Sequence, residues 1–271
     1  MSQILNVVTH GLLAGRASGP MEREHLHPEI ELNLLLSGSA RYQSFELRPR
    51  RLAVFWGGYP HRLVSGEADL LWATMPLSTV VGEHALAGAL ERLMRGEILY
   101  GTPKEAPHDR FLLQRWATEL DGAQDTATSE VCRFEMYARL ARLAHDVKPA
   151  AGAESLPARA AEQLLVVVAT RYTEDLSVEE IARAAGVHPT YAAQAFSKVF
   201  GMPLWQYVTR LRVAHAERLL SSTGWGVDRV AHESGFQTRS AFYRAFRQVT
   251  GDSPGRYRSH HGHVSWLRDN S

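Results

Sequence analysis

The side chains best equipped for chemistry fall in two places, one near each end of this 271-residue chain. The first comprises His25-Leu26-His27, Glu31 and, beyond Gly57-Gly58, His61. Alternate residues of a strand face one side, so His25 and His27 share a face. Three imidazoles and a carboxylate suit a divalent ion such as Fe, Ni, Zn or Cu. The same groups can instead hydrogen-bond the hydroxyls of a small organic molecule, or serve as plain structural histidines. The second place is Gly235 to Tyr257, GFQTRSAFYRAFRQVTGDSPGRY. At about 100° per residue, Arg239, Ser240, Tyr243, Arg244 and Arg247 share an arc of about 140°. Ala241, Phe242, Ala245, Phe246 and Val249 fill the opposite arc. Such a helix anchors an apolar face and turns three guanidiniums outward. Guanidinium donates to guanine edges or to phosphate; a merely solvated arginine face is the alternative.

A second copy of this pattern lies upstream. Ser177 and Glu180 form an S-x-x-E capping box, Gly186 ends the helix it opens, and Pro189 suits the first position of the next. On that next helix Ala192, Ala195, Phe196, Val199 and Phe200 cluster, opposite Thr190, Gln194, Ser197 and Lys198, with Tyr191 at the edge. Val178, Ile181-Ala182, Gly186-Val187, Phe196, Gly201 and Tyr207 recur as Val227, Val230-Ala231, Gly235-Phe236, Phe246, Gly251 and Tyr257. The offset is 49 residues up to the glycine and 50 after it. Core, turn and outward polar face repeat in register, which points to two helix-turn-helix units, 177–200 and 227–250. Between them Leu204 to Leu220 reads as one helix, with Leu204, Val208, Leu211, His215 and Leu219 along a side. Seventeen residues span about 25 Å. That spacing suits two helices entering successive major grooves about 34 Å apart. Thr190, Tyr191 and Gln194, with Arg239, Ser240, Tyr243 and Arg244, are the expected base readers; Lys198 and Arg247 are expected on phosphates.

The elements around the histidines read differently. From Glu29 to Leu71 the chain alternates in short runs: Leu32, Leu34 and Leu36, then Arg41 to Leu47, Leu52 to Trp56 and Leu70 to Met75. Turns at Ser37-Gly38-Ser39, Gly57-Gly58 and Ser65-Gly66 separate them, which predicts a small β-barrel or sandwich. Arg41, Trp56, Tyr59 and Trp72 are placed to line its cavity. Helical spacing follows over Ala85 to Arg95, His108 to Leu120 and Ser129 to Val147, packing on the barrel or against a second copy. Lys148 to Pro157 lacks periodicity and reads as a linker. The tail from His260-His261-Gly262-His263 reads as a frayed terminus or a weak ligand cluster.

Net charge is +1, but residues 1 to 157 carry 16 Lys+Arg against 19 Asp+Glu, and the remainder 14 against 10. The basic excess coincides with the repeated units, as nucleic-acid binding requires. No apolar run approaches the roughly 20 residues of a membrane span, and the start lacks a secretory pattern. Cys132 is the single cysteine, so no intrachain disulfide forms. A cytoplasmic location, away from the membrane, is expected.

The spacing Gly19-x5-His25-x-His27-x3-Glu31-x6-Gly38 resembles the first motif of cupin barrels, and Gly58-x2-His61 the core of the second, with Trp56 where proline is usual. In metal-binding cupins those three histidines and the glutamate hold a divalent ion. Cupin-like domains attached to DNA-binding modules often use the pocket for an organic effector instead. Ala158 to Tyr257 resembles the DNA-binding domain of the AraC/XylS family of bacterial transcription regulators, most closely in GFQTRSAFYRAFRQVTGDSPGRYR. HLHPEIELN and VFWGGYPH resemble its melibiose-operon regulator branch. The departures are His188, where Ser or Thr usually caps, and Ala192 and Ala195 in place of larger leucines. They imply a looser first unit.

The resulting expectation is an α+β two-domain protein. Residues 1–147 form a cupin-like β-barrel with helices, 148–157 a linker, 158–258 an all-α domain with two helix-turn-helix motifs, and 259–271 a tail. The expected function is sequence-specific regulation of transcription, as an activator, under a small polar effector such as a sugar. His25, His27, Glu31, Arg41, Trp56 and His61 are the expected effector residues. The alternative is a metal-dependent enzyme or metal sensor with the ion on His25, His27, Glu31 and His61; no other catalytic constellation is present, so no enzyme is expected. Promoter DNA and the effector are the expected partners, and the family resemblance adds RNA polymerase and a homodimer.

Overall fold

A computed structural model describes residues 12–18, 24–65, 68–81, 83–121, 126–145 and 156–261. The chain divides into two compact units after Gly152.

In the N-terminal unit the strands are β1 (Leu13–Ala17), β2 (Glu29–Gly38), β3 (Arg41–Tyr42), β4 (Leu52–Trp56), β5 (Leu63–Ser65), β6 (Ala68–Pro76) and β7 (Leu99–Tyr100). Five of them form an antiparallel sheet in the order β1-β6-β2-β4-β7, and β3 pairs with β5 in a second small sheet. Among the described residues no ladder joins the two sheets into a closed barrel; a bridge between His25 and His61 lies at the edge of the pairing. The expected strand Arg41 to Leu47 is reduced to two residues, because Tyr42 and Leu47 turn back to bond Phe45 and Ala40. β5 and β7, of three and two residues, are too short to show a period of two in the sequence.

The central strand β2 alternates from Glu29 to Leu35, before its register shifts against β6, yet both faces are covered. Ile30, Leu32 and Leu34 face one way, and Glu29, Glu31, Asn33 and Leu35 the other. The second face meets Tyr42, Ala53, Phe55 and Leu63 in a hydrophobic cluster. Helices α1 (Ala87–Met94) and α2 (Ala106–Glu119) pack on β4 and on β1 and β6, and α3 (Thr126–His145) packs on α2. A buried ion pair locks the last two together: Arg139 Nε donates to Asp109 Oδ1 at 2.5 Å and Nη2 to Oδ2 at 3.1 Å. Neither charge could sit there without the other.

The C-terminal unit is all helical: α4 (Leu156–Arg171), α5 (Val178–Ala184), α6 (Pro189–Phe200), α7 (Leu204–Ser222), α8 (Val227–Glu233), α9 (Arg239–Thr250) and α10 (Pro254–His261). Two expectations need correction here. The helix after the linker begins at Leu156, inside the expected 148–157, and the remainder of that linker lies outside the described residues. The expected tail contributes a helical turn, α10, through His261; residues 262–271, including His263, lie outside the described set.

The repeat explains the layout. α4 packs on α5 and α6, and α7 packs on α8 and α9. Phe196 meets Tyr207 at the start of α7 with centroids 5.3 Å apart, and Phe246 meets Tyr257 of α10 at 5.5 Å. Helix α7 therefore closes the first unit with its N-terminal part and opens the second with its C-terminal part. At 19 residues it spans about 28 Å.

Candidate nucleic-acid interface and the histidine cluster

One core, one side-chain cap and a glycine turn aim the helices of the second unit. Val213, Ala216, Leu219 and Leu220 from α7 close on Val230, Ala231, Phe236, Phe242 and Phe246. The Thr238 hydroxyl accepts from Ala241 N at 3.2 Å, fixing the first turn of α9. Gly235, at φ +86°, makes the turn before it; a Cβ there would stand 2.7 Å from the Thr173 backbone. Only glycine fits this turn. Beneath it, the buried Arg212 of α7 donates to the Tyr172 and Glu174 carbonyls at 2.6 and 2.8 Å, ordering the chain that follows α4.

On α9, Arg239, Ser240, Arg244 and Arg247 are exposed and Tyr243 is half-buried. Arg239 is already oriented: it donates to Tyr243 Oη at 3.3 Å and to Asp228 Oδ2 of α8 at 3.4 Å, and lies over the Tyr243 ring. The Tyr243 hydroxyl, then the Asp228 charge, raise its pKa. Arg244 and Arg247 have no ion-pair partner among the described residues. Val249, expected in the core, is 43% exposed near the helix end.

On α6, Thr190, Tyr191, Gln194 and Lys198 are exposed, and Ala192, Ala195 and Phe196 are buried. Val199 is exposed rather than buried. His188 occupies the N-cap without a side-chain bond to the helix. The capping box instead serves α5, where Ser177 Oγ accepts from Glu180 N and the Glu180 carboxylate accepts from Ser177 N.

In the N-terminal unit the structure brings His25, His27, Glu31 and His61 together, with one potential ligand atom from each within 4.8 Å of the others. Gly19, the first residue of the motif, lies outside the described residues. Glu31 Oε1 is 2.6 Å from His27 Nε2 and 3.1 Å from His61 Nε2, and Oε2 accepts from Asn33 at 2.8 Å. Burial opposes charge on His27, but the nearby Glu29 and Glu31 carboxylates outweigh it and hold the imidazole at about 10. Burial likewise opposes charge on Glu31, and His27 and His61 keep its carboxyl well below the usual range. Gly57 makes room for this arrangement, since a Cβ there would overlap the His27 ring.

The other two expected effector residues, Arg41 and Trp56, stand outside the four-residue cluster. Arg41 is exposed on β3, on the side opposite the buried Tyr42. Trp56 is buried and its Nε1 donates to the Pro28 carbonyl at 3.3 Å. Trp56 and Tyr59 do line a cavity with His61, whereas Trp72 and Arg41 do not. Sequence reasoning missed Glu29, Asn33, Asp228 and Thr238, which orient the prominent groups. Only Thr238 carried a local signal, a cap residue ahead of an amphipathic helix.

The chain is similar to known proteins. A helix-turn-helix domain family matches residues 157–260. The melibiose operon regulatory protein of Escherichia coli is 24% identical over 269 residues, covering 90% of this chain and 85% of that protein. The transcriptional activator AarP of Providencia stuartii is 31% identical over 96 residues, covering 35% of this chain and 71% of its own. The crystal structure of ToxT from Vibrio cholerae is similar in fold, with a TM-score of 0.55 at 12% identity over 93% of this chain and 98% of that one. With its paired helix-turn-helix units, this chain belongs to the AraC/XylS family of DNA-binding transcription regulators.

Proposed function

We propose that the protein is an effector-controlled transcription activator that reads promoter DNA with both helices α6 and α9. The observation that carries this reading is the exposed face of α9, where Arg244 and Arg247 extend without an ion-pair partner among the described residues and Arg239 is held by Asp228 and Tyr243. Guanidiniums without an internal partner can meet a phosphate or a guanine edge without first breaking an ion pair. Thr190, Tyr191, Gln194, Arg239, Ser240, Tyr243 and Arg244 read bases, and Lys198 and Arg247 hold phosphates. Residues 158–258 form the DNA-binding domain, and the cupin-like residues 1–147 take the effector. RNA polymerase is the downstream partner. A second copy packs on the outer face of α2 and α3, where Phe111, Val131 and Phe134 are exposed.

The relatives are transcription regulators, and the reading involves no catalysis. Selecting bound sites from a random DNA pool, with and without candidate effectors, tests it. Recovery of a two-part site whose affinity changes with one effector is the expected result. A pool with no consensus would refute it.

A second reading concerns His25, His27, Glu31 and His61. Their ligand atoms lie close enough to hold one divalent ion, and a polar effector such as a sugar would have to be gripped by the same groups. If an ion binds, it displaces the proton that His27 holds between two carboxylates, and it supplies charge neutralisation for Glu31. Elemental analysis of protein purified without an affinity tag tests this: one equivalent of metal is expected, and a metal-free, folded protein would eliminate it.

A further inference from the structure

Next to the histidine cluster the N-terminal unit holds a cavity of about 360 Å³. Phe45, Phe55, Trp56, Tyr59 and Ile98 wall it, and His61 contributes one edge. Phe45 and Phe55 meet at 65° with centroids 5.2 Å apart, and Trp56 and Tyr59 at 84° and 5.7 Å. Two tilted pairs present both ring faces and ring edges to whatever enters.

The polar groups of the aromatic and histidine walls are already engaged. Tyr59 Oη donates to the Met94 carbonyl at 2.9 Å, and the Trp56 indole to Pro28. His61 Nδ1 lies 2.8 Å from the Tyr59 carbonyl, and Nε2 lies 3.1 Å from Glu31. At the rim the charges are paired, Arg95 with Glu91 at 2.6 Å and Glu97 with Arg92 at 2.7 Å. A sugar would surrender water at each buried hydroxyl and find few replacements. An aromatic ring gains apolar burial and edge-to-face contact at once.

We propose that this cavity binds a small, planar, uncharged aromatic molecule of one or two rings. Its volume falls at the lower end of ligand pockets, and the rim charges, each already facing an opposite charge, attract an ionised group less than an unpaired charge would. The proposal rests on the effector-controlled reading above and names the chemistry of its ligand. His61 links the cavity to the fold: its ring borders the ligand space, its Nε2 meets Glu31 of β2, and its backbone pairs with His25. A bound ring therefore presses on the residue that joins the edge of the sheet to its central strand.

The test is calorimetric titration of the full chain with 2-naphthol and with indole, alongside D-galactose. Two variants narrow the cavity: Ser44→Trp at its exposed rim and Ile98→Trp in its wall. Saturable binding of 2-naphthol, at least tenfold weaker in both folded variants and absent for galactose, is the expected result. No saturable binding of either aromatic, or binding untouched by both tryptophans, overturns the assignment. Galactose binding that the tryptophans abolish overturns it equally. Repeating a promoter-DNA titration with 2-naphthol bound separates the two ideas: unchanged DNA affinity sinks the effector-controlled reading and leaves the cavity assignment standing.

Discussion

The two helix-turn-helix units share a plan but distribute their stabilising devices in opposite ways. In the first, the capping box belongs to the supporting helix α5, and α6 begins at His188 without a side-chain cap. In the second, the supporting helix α8 begins at an unassisted Gly226, and α9 has the Thr238 cap. The aromatics follow the same division. Phe242, fully buried, stands where the first unit has Ala192, and it meets Phe236 and Phe246 at 5.2 and 5.5 Å. The first unit gathers Phe196, Phe200 and Tyr207 around the far end of α6. The N-terminal half of α9, which carries Arg239, Ser240 and Arg244, is thus better fixed than that of α6. A reader held in one orientation spends less conformational entropy on binding, so α9 should dominate affinity and base selection.

The comparison can be broken at its strongest point first. Phe242→Ala should destabilise the C-terminal unit by about 3–5 kcal/mol through transfer loss and cavity formation, read by urea unfolding. Little change would mean that the α9 core is not what fixes it. Next, Arg244→Ala should cost about 1–3 kcal/mol at one base position and relax preference there. Gln194→Ala should cost less than about 1 kcal/mol if α6 is the looser reader, near the lower end of a single hydrogen bond's net worth.

The caps sharpen the contrast. Thr238→Ala should cost roughly 1 kcal/mol of stability, whereas His188→Ser should gain a comparable amount by supplying the missing bond. Equal responses at both caps would erase the asymmetry. The smallest expected effects are Lys198→Ala and Arg247→Ala. Each should weaken all sequences alike and lower the salt slope by about 1, measured by titration across a range of ionic strength.

Much of this was legible in the sequence. The repeat at offsets of 49 and 50 located both units, because turn glycines and buried aromatics recur wherever the same helices must pack. The capping box at Ser177 and Glu180 is local and was read directly. The histidine cluster was also legible from its spacing, although His25 and His27 precede β2 and meet through the bridge to His61 rather than by alternation along a strand. What escaped depends on distance along the chain. Asp228 orients Arg239 from eleven residues away, and Arg212 of α7 holds the Tyr172 carbonyl across 40 residues of chain. Val199 and Val249 follow the apolar period yet protrude, because the helices continue past the end of the core that covers them. The aromatic cavity joins β4 and the turn after α1, a contact between distant segments that no local pattern announces.

The most direct test of the central claim is a side-by-side measurement of the Gln194→Ala and Arg244→Ala variants on a selected operator with each half-site scrambled in turn. The predicted result is a larger loss from Arg244→Ala, confined to the half-site that α9 contacts and abolished when that half is scrambled. Equal losses, or a larger loss from Gln194→Ala, would contradict the dominance of α9.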